Sequence, residues 1–258
     1  MLHNYFTRQD MFMRKTVLIS ILLVINSLIH PGLWSGQSNN DLYSDDNASR
    51  NTINKVYDSL NEPSLNPDAF YMAMIGFRWL CSKGLISKDS LLTIIDYSRP
   101  SSEDRFFVIN LRHNSITFKT LVAHGRNSGE LYASRFSNKA QSHQTALGFY
   151  ITGNTYEGRQ GYSLTLAGVD TGYNDHAQIR SIVIHGASYV TYRYIKQYGR
   201  LGRSFGCPAL PPNLNTDIIN CIKEGSVLFS YYPDEIYLNN SPVLSSLTKA
   251  DQLIKPIT

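Results

Sequence analysis

Apolar and polar positions alternate in three different ways along this chain. Residues 16–29 form an uncharged apolar run behind Arg14 and Lys15, and residues 37–51 are polar, rich in Asn, Ser and Asp. Further on, Phe70, Met74, Phe77 and Cys81 recur at helical spacing, with Asn66-Pro67 as an N-cap and first helical position and Gly84 as a stop. From about Leu91 the period shortens. Runs at 91–97, 105–111 and 116–123 are rich in Ile, Val, Phe and Thr, parted by turn residues at Pro100-Ser101-Ser102 and His113-Asn114-Ser115. Further short runs follow at 146–152, 162–167, 182–185 and 227–232. A late helix is predicted over 215–224, with Leu214, Ile218, Cys221 and Ile222 on one side and Gly225 at its end. The pattern has no internal repeat. It predicts a mainly β domain of many short strands with a few packed helices.

The apolar run at 16–29 is short for a bilayer span and reads as a signal-peptide core, with Gly32, Ser35 and Gly36 as small residues after it. Residues 1–36 are therefore expected to be a signal peptide or an uncleaved N-terminal anchor. Both place the rest outside the cytoplasm, in the periplasm or cell envelope, the anchor adding a membrane association. Residues 37–51 read as a disordered linker and 52–90 as a helical section packing on the main domain. That domain is expected over 91–240, with a tail at 241–258.

The chain has 258 residues, 42% of them hydrophobic, which is enough for a real core. Its formal charge is +4. Cleavage after Gly36 would remove Arg8, Arg14, Lys15 and Asp10 and leave the remainder closer to neutral. Without a basic run, nothing points to nucleic acid. No HExxH or paired CxxC is present, so neither a metal nor another cofactor is expected. Oligomeric state is not legible.

Three cysteines in an oxidising compartment leave at least one thiol free or paired with another chain. Cys81 and Cys221 fall on apolar helical stripes and read as core, with a Cys81–Cys221 disulfide as the alternative. Cys207 is different. It sits in Gly202-Arg203-Ser204-Phe205-Gly206-Cys207-Pro208, which has neither helical nor strand period. Gly206 permits a tight backbone and Pro208 keeps the next position out of a ladder. The sulfur is thus expected at an elbow, with the N–H groups of Gly206 and Cys207 as oxyanion donors.

A thiol needs a base. His185 closes the apolar run Ile182-Val183-Ile184, and Gly186 leaves room beside its ring. A second His-Gly occurs in Ala123-His124-Gly125-Arg126, also after an apolar run. His185 is the candidate base, and His124 a substrate contact or a support behind the site. Arg203 or Arg126 is a candidate for holding a substrate carboxylate, because guanidinium suits planar bidentate contacts.

His185-Gly186 followed by Ser204-Phe205-Gly206-Cys207-Pro208 resembles the murein L,D-transpeptidases with the YkuD-type catalytic domain. Their pattern is His-Gly, a gap, then Ser/Thr-His-Gly-Cys. Here Phe205 stands for the usual His, and Pro208-Ala209 for an apolar residue followed by Asn or Arg. The chain resembles a divergent Ser-x-Gly-Cys-Pro branch, and Val122-Ala123-His124-Gly125 and Arg203-Ser204 are similar to it as well. The resemblance covers about 91–232. It implies a compact β-rich fold and Cys207 attacking the carbonyl between the third stem-peptide residue, usually diaminopimelate, and D-Ala. It implies His185 as proton carrier, oriented partly by a backbone carbonyl. Ser204 and Gly206 become site residues by position. The thioester would pass to an amine of a second stem peptide, or to water in an L,D-carboxypeptidase. A non-catalytic wall-binding protein keeping this fold is the alternative from another class.

Overall fold

The computed structural model describes residues 39–245. The expected signal peptide or anchor at 1–36 lies outside the described residues, as do residues 246–258 of the expected tail. Leu42–Thr258 forms one unit; of the other, Met1–Asp41, only the start of a helix is described. Among the described residues no helix is long and apolar enough to cross a membrane.

The chain is mainly β, with a few packed helices. Eight strands form one sheet: β1 (Leu91–Asp96), β2 (Phe106–Asn110), β3 (Ser115–Thr120), β4 (Gly148–Gly158), β5 (Gly161–Gly168), β6 (Val183–Gly186), β7 (Ala209–Leu210) and β8 (Val227–Tyr231). Their order is β3-β2-β1-β8-β4-β5-β6-β7. β1 runs parallel to β8 and β6 parallel to β7, and the other pairings are antiparallel. The chain leaving β3 reaches the opposite edge, where Ala123 bridges Ala209 and Gly125 bridges Ser204. These bridges nearly close the sheet on itself, and they bring the segment after β3 beside the Cys207 loop.

The strands read as near-continuous apolar runs because both faces of the sheet are covered. One face presents Leu92, Ile94, Phe107, Ile109, Phe149, Val227 and Phe229. The other presents Ile95, Phe106, Val108, Tyr150 and Leu228. The first face is covered by α1 (Asn39–Leu60) and α2 (Pro67–Ser82). Asn66 caps α2 by accepting from the N–H groups of Asp68 and Ala69, and Pro67 stands where no donor is needed. Phe70, Ala73, Phe77 and Leu80 then bury on one side. Gly76 has to be glycine, since a Cβ there would lie 2.1 Å from Phe149 Cζ. The second face receives Ile218, Ile219 and Ile222 of α4 (Pro212–Ile222). Each contributes about 1.5–3 kcal/mol by burial.

Three differences from the sequence reading concern boundaries. The linker expected at 37–51 is helical from Asn39. Ile53 and Leu60 of that helix are buried, and a helix anchored at one end extends by one bond per added residue at little cost. At the other terminus, residues 241–245 are part of the core. Buried Asp170 accepts from Ser241 Oγ and the Val243 N–H through one oxygen, and from the Phe149 N–H and Tyr237 OH through the other. Two short helices, α3 (Tyr192–Tyr198) and α5 (Glu235–Asn240), and the two-residue strand β7 also have no counterpart among the predicted elements.

Candidate active site

The loop before β7 carries Cys207, and Ser204 organises it. The Ser204 N–H donates to His124 O at 3.0 Å, and Ser204 O accepts from the Arg126 N–H at 2.8 Å. Its hydroxyl accepts from the Gly206 N–H at 3.0 Å and donates to Cys207 O at 2.6 Å. Gly206 has φ +124°, and a Cβ there would lie 2.8 Å from Gln144 O and 3.2 Å from Arg180 Nη2. A side chain is excluded twice, by conformation and by space. The chain then enters the ladder, with Ala209 in register with His185. Cys207 therefore stands two residues before the strand position that is level with His185.

One expectation is corrected here. Gly206 was expected to aim its N–H at an oxyanion, but the Ser204 hydroxyl takes that donor. Among the described residues the Cys207 N–H has no protein partner, so of the two donors expected for an oxyanion it is the one not taken up within the loop.

His185 is held between β5 and β7, opposite Ser163 on one side and Ala209 on the other. Its Nδ1 lies 3.0 Å from Gly186 O. A carbonyl only accepts, so Nδ1 carries the proton and Nε2 is the basic nitrogen. Burial pushes the imidazole below its ordinary value, and the bond to Gly186 partly offsets this. Gly186 is glycine because the Asn215 side chain of α4 lies 3.2 Å from where a Cβ would be.

The half-buried Cys207 thiol donates to Ser181 O at 3.6 Å. Burial pushes it up from its ordinary value, while the Val183 backbone N–H and the Arg180 guanidinium pull it down. No hydrogen bond joins sulfur and imidazole among the described residues. The thiol is raised and the imidazole lowered, and both shifts favour the neutral forms over an ion pair.

Both side chains line one cavity of about 490 Å³. It is lined also by Tyr156, Arg159 and Ser163 from the β4–β5 hairpin and by Arg180, Tyr189 and Phe205. Arg180 donates to Ser137 O, Ser142 Oγ and Gln144 O and has no carboxylate partner among the described residues. Tyr189 is pushed up to about 12 by burial and by the neighbouring sulfur.

The profile of the L,D-transpeptidase catalytic domain matches residues 61–231. The chain belongs to the L,D-transpeptidase catalytic-domain family. Among solved structures it is similar to an L,D-transpeptidase from Mycobacterium smegmatis at 12% identity, covering 55% of this chain and 59% of that one with a TM-score of 0.35. L,D-transpeptidase 3 from Mycobacterium tuberculosis matches at 11% identity, with 55% and 61% covered and a TM-score of 0.35. One from Enterococcus faecium matches at 10% identity, with 55% and 50% covered and a TM-score of 0.34. The match thus spans less than two thirds of the length of these structures. No curated protein matches the chain.

Within this L,D-transpeptidase domain the candidate residues divide. Cys207, His185, Ser204 and Arg203 line the cavity. His124 does not, and it is no substrate contact. It is fully buried, its Nδ1 accepting from Arg105 Nη2 at 2.8 Å and its Nε2 donating to Gly129 O at 3.2 Å. Burial and then the Arg105 charge push it down to about 3. Arg126 also lies off the cavity. Its guanidinium stacks 4.6 Å from the Phe205 ring centroid and donates to His143 Nδ1. Arg203 uses Nη1 on Arg126 O, Gly129 O and Glu130, so it braces the loop after His124. Cys81 and Cys221 are free thiols, packed against the clusters on opposite faces of the sheet, so the Cys81–Cys221 disulfide is absent. Sequence reasoning missed Arg180, Tyr189 and the hairpin residues. Only the charge of Arg180, standing five positions before His185, offered a signal.

Proposed function

We propose that this chain is an exported peptidoglycan L,D-transpeptidase, acting in the periplasm or cell envelope through a Cys207 thioester. The observation that carries the reading is the sharing of one cavity by Cys207 and a His185 whose Nδ1 proton is held by Gly186 O, leaving Nε2 basic. Cys207 Sγ turns from Ser181 O toward the base and attacks the acyl carbonyl of a stem peptide. The thiol proton passes to Nε2, the S–C bond forms, and the oxyanion meets the Cys207 N–H. The C–N bond then breaks, and the leaving D-Ala amine takes the proton from Nε2. An amine of a second stem peptide attacks the thioester and gives its proton through Nε2 to the departing sulfur. The product joins the third residues of two stem peptides.

Because burial favours the neutral thiol and the neutral imidazole, His185 works as a general base at the moment of attack. Arg180 supplies a fixed positive charge beside the sulfur that favours the developing thiolate. Incubating the protein with tetrapeptide muropeptides tests the reading. Cross-linked dimers are expected, lost in Cys207→Ala. Tripeptide monomers alone would replace transfer by hydrolysis, and no conversion together with no acyl adduct on Cys207 would refute the enzyme.

A further inference from the structure

Among the described residues the cavity beside Cys207 is bordered by three guanidiniums, from Arg159, Arg180 and Arg203, and by no carboxylate. Two of the three are already occupied. Arg180 is tied to Ser137, Ser142 and Gln144, and Arg203 to Glu130 and the carbonyls of Arg126 and Gly129. Arg159 is not. It is exposed, and among the described residues it has neither an ion pair nor a hydrogen bond.

Its place in the fold is specific. β4 pairs with β8 only over residues 148–151 and β5 pairs with β6 only over 163–165, so the pairs Glu157–Tyr162 and Gly158–Gly161 run on past β6 as a short two-stranded ribbon. The ribbon closes at Gly158 and Gly161, with Arg159 and Gln160 between them. Ser163, two residues after Gly161, is in register with His185. The turn therefore stands roughly 7 Å beyond the His185 level. That is about the length of two residues of an extended peptide, within reach of a long side chain.

We propose that Arg159 binds a carboxylate of the acyl-donor peptide within about two residues of the bond that Cys207 attacks, so that the pocket selects donors carrying a free acid there. This rests on the acyl-transfer reading above. A planar carboxylate suits a guanidinium fork, and an otherwise cationic cavity without an acidic side chain favours an anionic guest. The acid can be the side-chain carboxylate of the third residue or the carboxyl-terminal one of the D-Ala, and each can be masked separately.

The test is binding to the full chain carrying Cys207→Ala, so that no turnover is required. Calorimetry compares a donor tetrapeptide with the same peptide amidated at the third-residue side chain, and with one amidated at its carboxyl terminus. Arg159→Gln is expected to weaken the acid donor about five- to tenfold at low salt, less as salt is added. Arg159→Lys should recover part of this, with unchanged melting temperature in both. The loss should vanish for the peptide amidated at the carboxylate that Arg159 reads. An equal loss on all three peptides, or no loss, overturns the proposal. Discrimination in binding without any turnover by the intact enzyme would sink the transpeptidase reading and leave the carboxylate site standing. Turnover without discrimination would do the reverse.

Discussion

Replacing Ser204 by alanine separates two roles that a motif position leaves merged. If Ser204 contacts substrate or oxyanion, Ser204→Ala costs activity and little stability. The hydrogen bonds predict otherwise. The hydroxyl accepts from Gly206 N–H at 3.0 Å and donates to Cys207 O at 2.6 Å, on a residue 6% exposed. Two net hydrogen bonds contribute about 1 kcal/mol each, and a buried orphaned N–H adds about 1 kcal/mol more. The loss is therefore about 2–3 kcal/mol, which for a domain of this size lowers the melting temperature by about 5–10 °C. The loop carrying Cys207 should loosen with it, slowing acylation by a carbapenem as followed by mass spectrometry. Thermal melts of Ser204→Ala beside Cys207→Ala decide the point. A Ser204→Ala variant that melts with the wild type while losing acylation would refute this account and return Ser204 to the substrate.

The electrostatics supply the other predictions. His124 is held to about 3 in the folded chain, against about 6.5 when unfolded, so unfolding takes up a proton at acid pH. Its contribution to stability is full above about 6.5 and falls as the pH drops toward about 3, by at most roughly 5 kcal/mol. His124→Gln should flatten the denaturation free energy across that window, and by NMR the wild-type ring should stay neutral at pH 4. With its thiol raised by burial, Cys207 should react with iodoacetamide at neutral pH more slowly than a small thiol, gaining rate as the pH rises. Arg180→Gln should move that profile further to the alkaline side. Rapid alkylation in acid would mean that an ion pair forms after all. Gly206→Ala, which drives a Cβ to 2.8 Å from Gln144 O, should displace the nucleophile loop and lose the carbapenem adduct.

Much of the fold was legible because burial on one or both sides of a strand leaves a simple trace. Ile94 and Ile95 face opposite clusters, as do Phe106 and Phe107, so runs of unbroken apolar residues were strands and not helices. The Asn66-Pro67 start of α2 was legible for a local reason, since a cap is satisfied by its own neighbours. What escaped was decided by partners distant in sequence. β7 is two residues long and exists because β6 and Ala123 flank it. The start of α1 is polar, and nothing local marks it as helix. Residues 241–245 joined the core through Asp170, more than seventy positions away.

The site divides along the same line. The pairing of Cys207 with His185 was legible as a candidate because each residue type has few other uses beside glycine at a strand end, and the two side chains line one cavity. Assigning donors and charges was harder, because a side chain's duty depends on which group reaches it first. His124 looked like a second imidazole at the rim until Arg105, buried and among the described residues without a carboxylate at hydrogen-bond distance, claimed its Nδ1. Arg203 looked free until Glu130 met it. By the same logic the informative cation is the one that no group among the described residues has claimed. Three arginines border the cavity, two have protein partners, and the third stands on a ribbon that projects past the sheet beside His185. Specificity in this branch is therefore expected to follow the length and sequence of the β4–β5 turn more than the Cys207 motif, because the motif's polar groups are spent on holding the nucleophile in place.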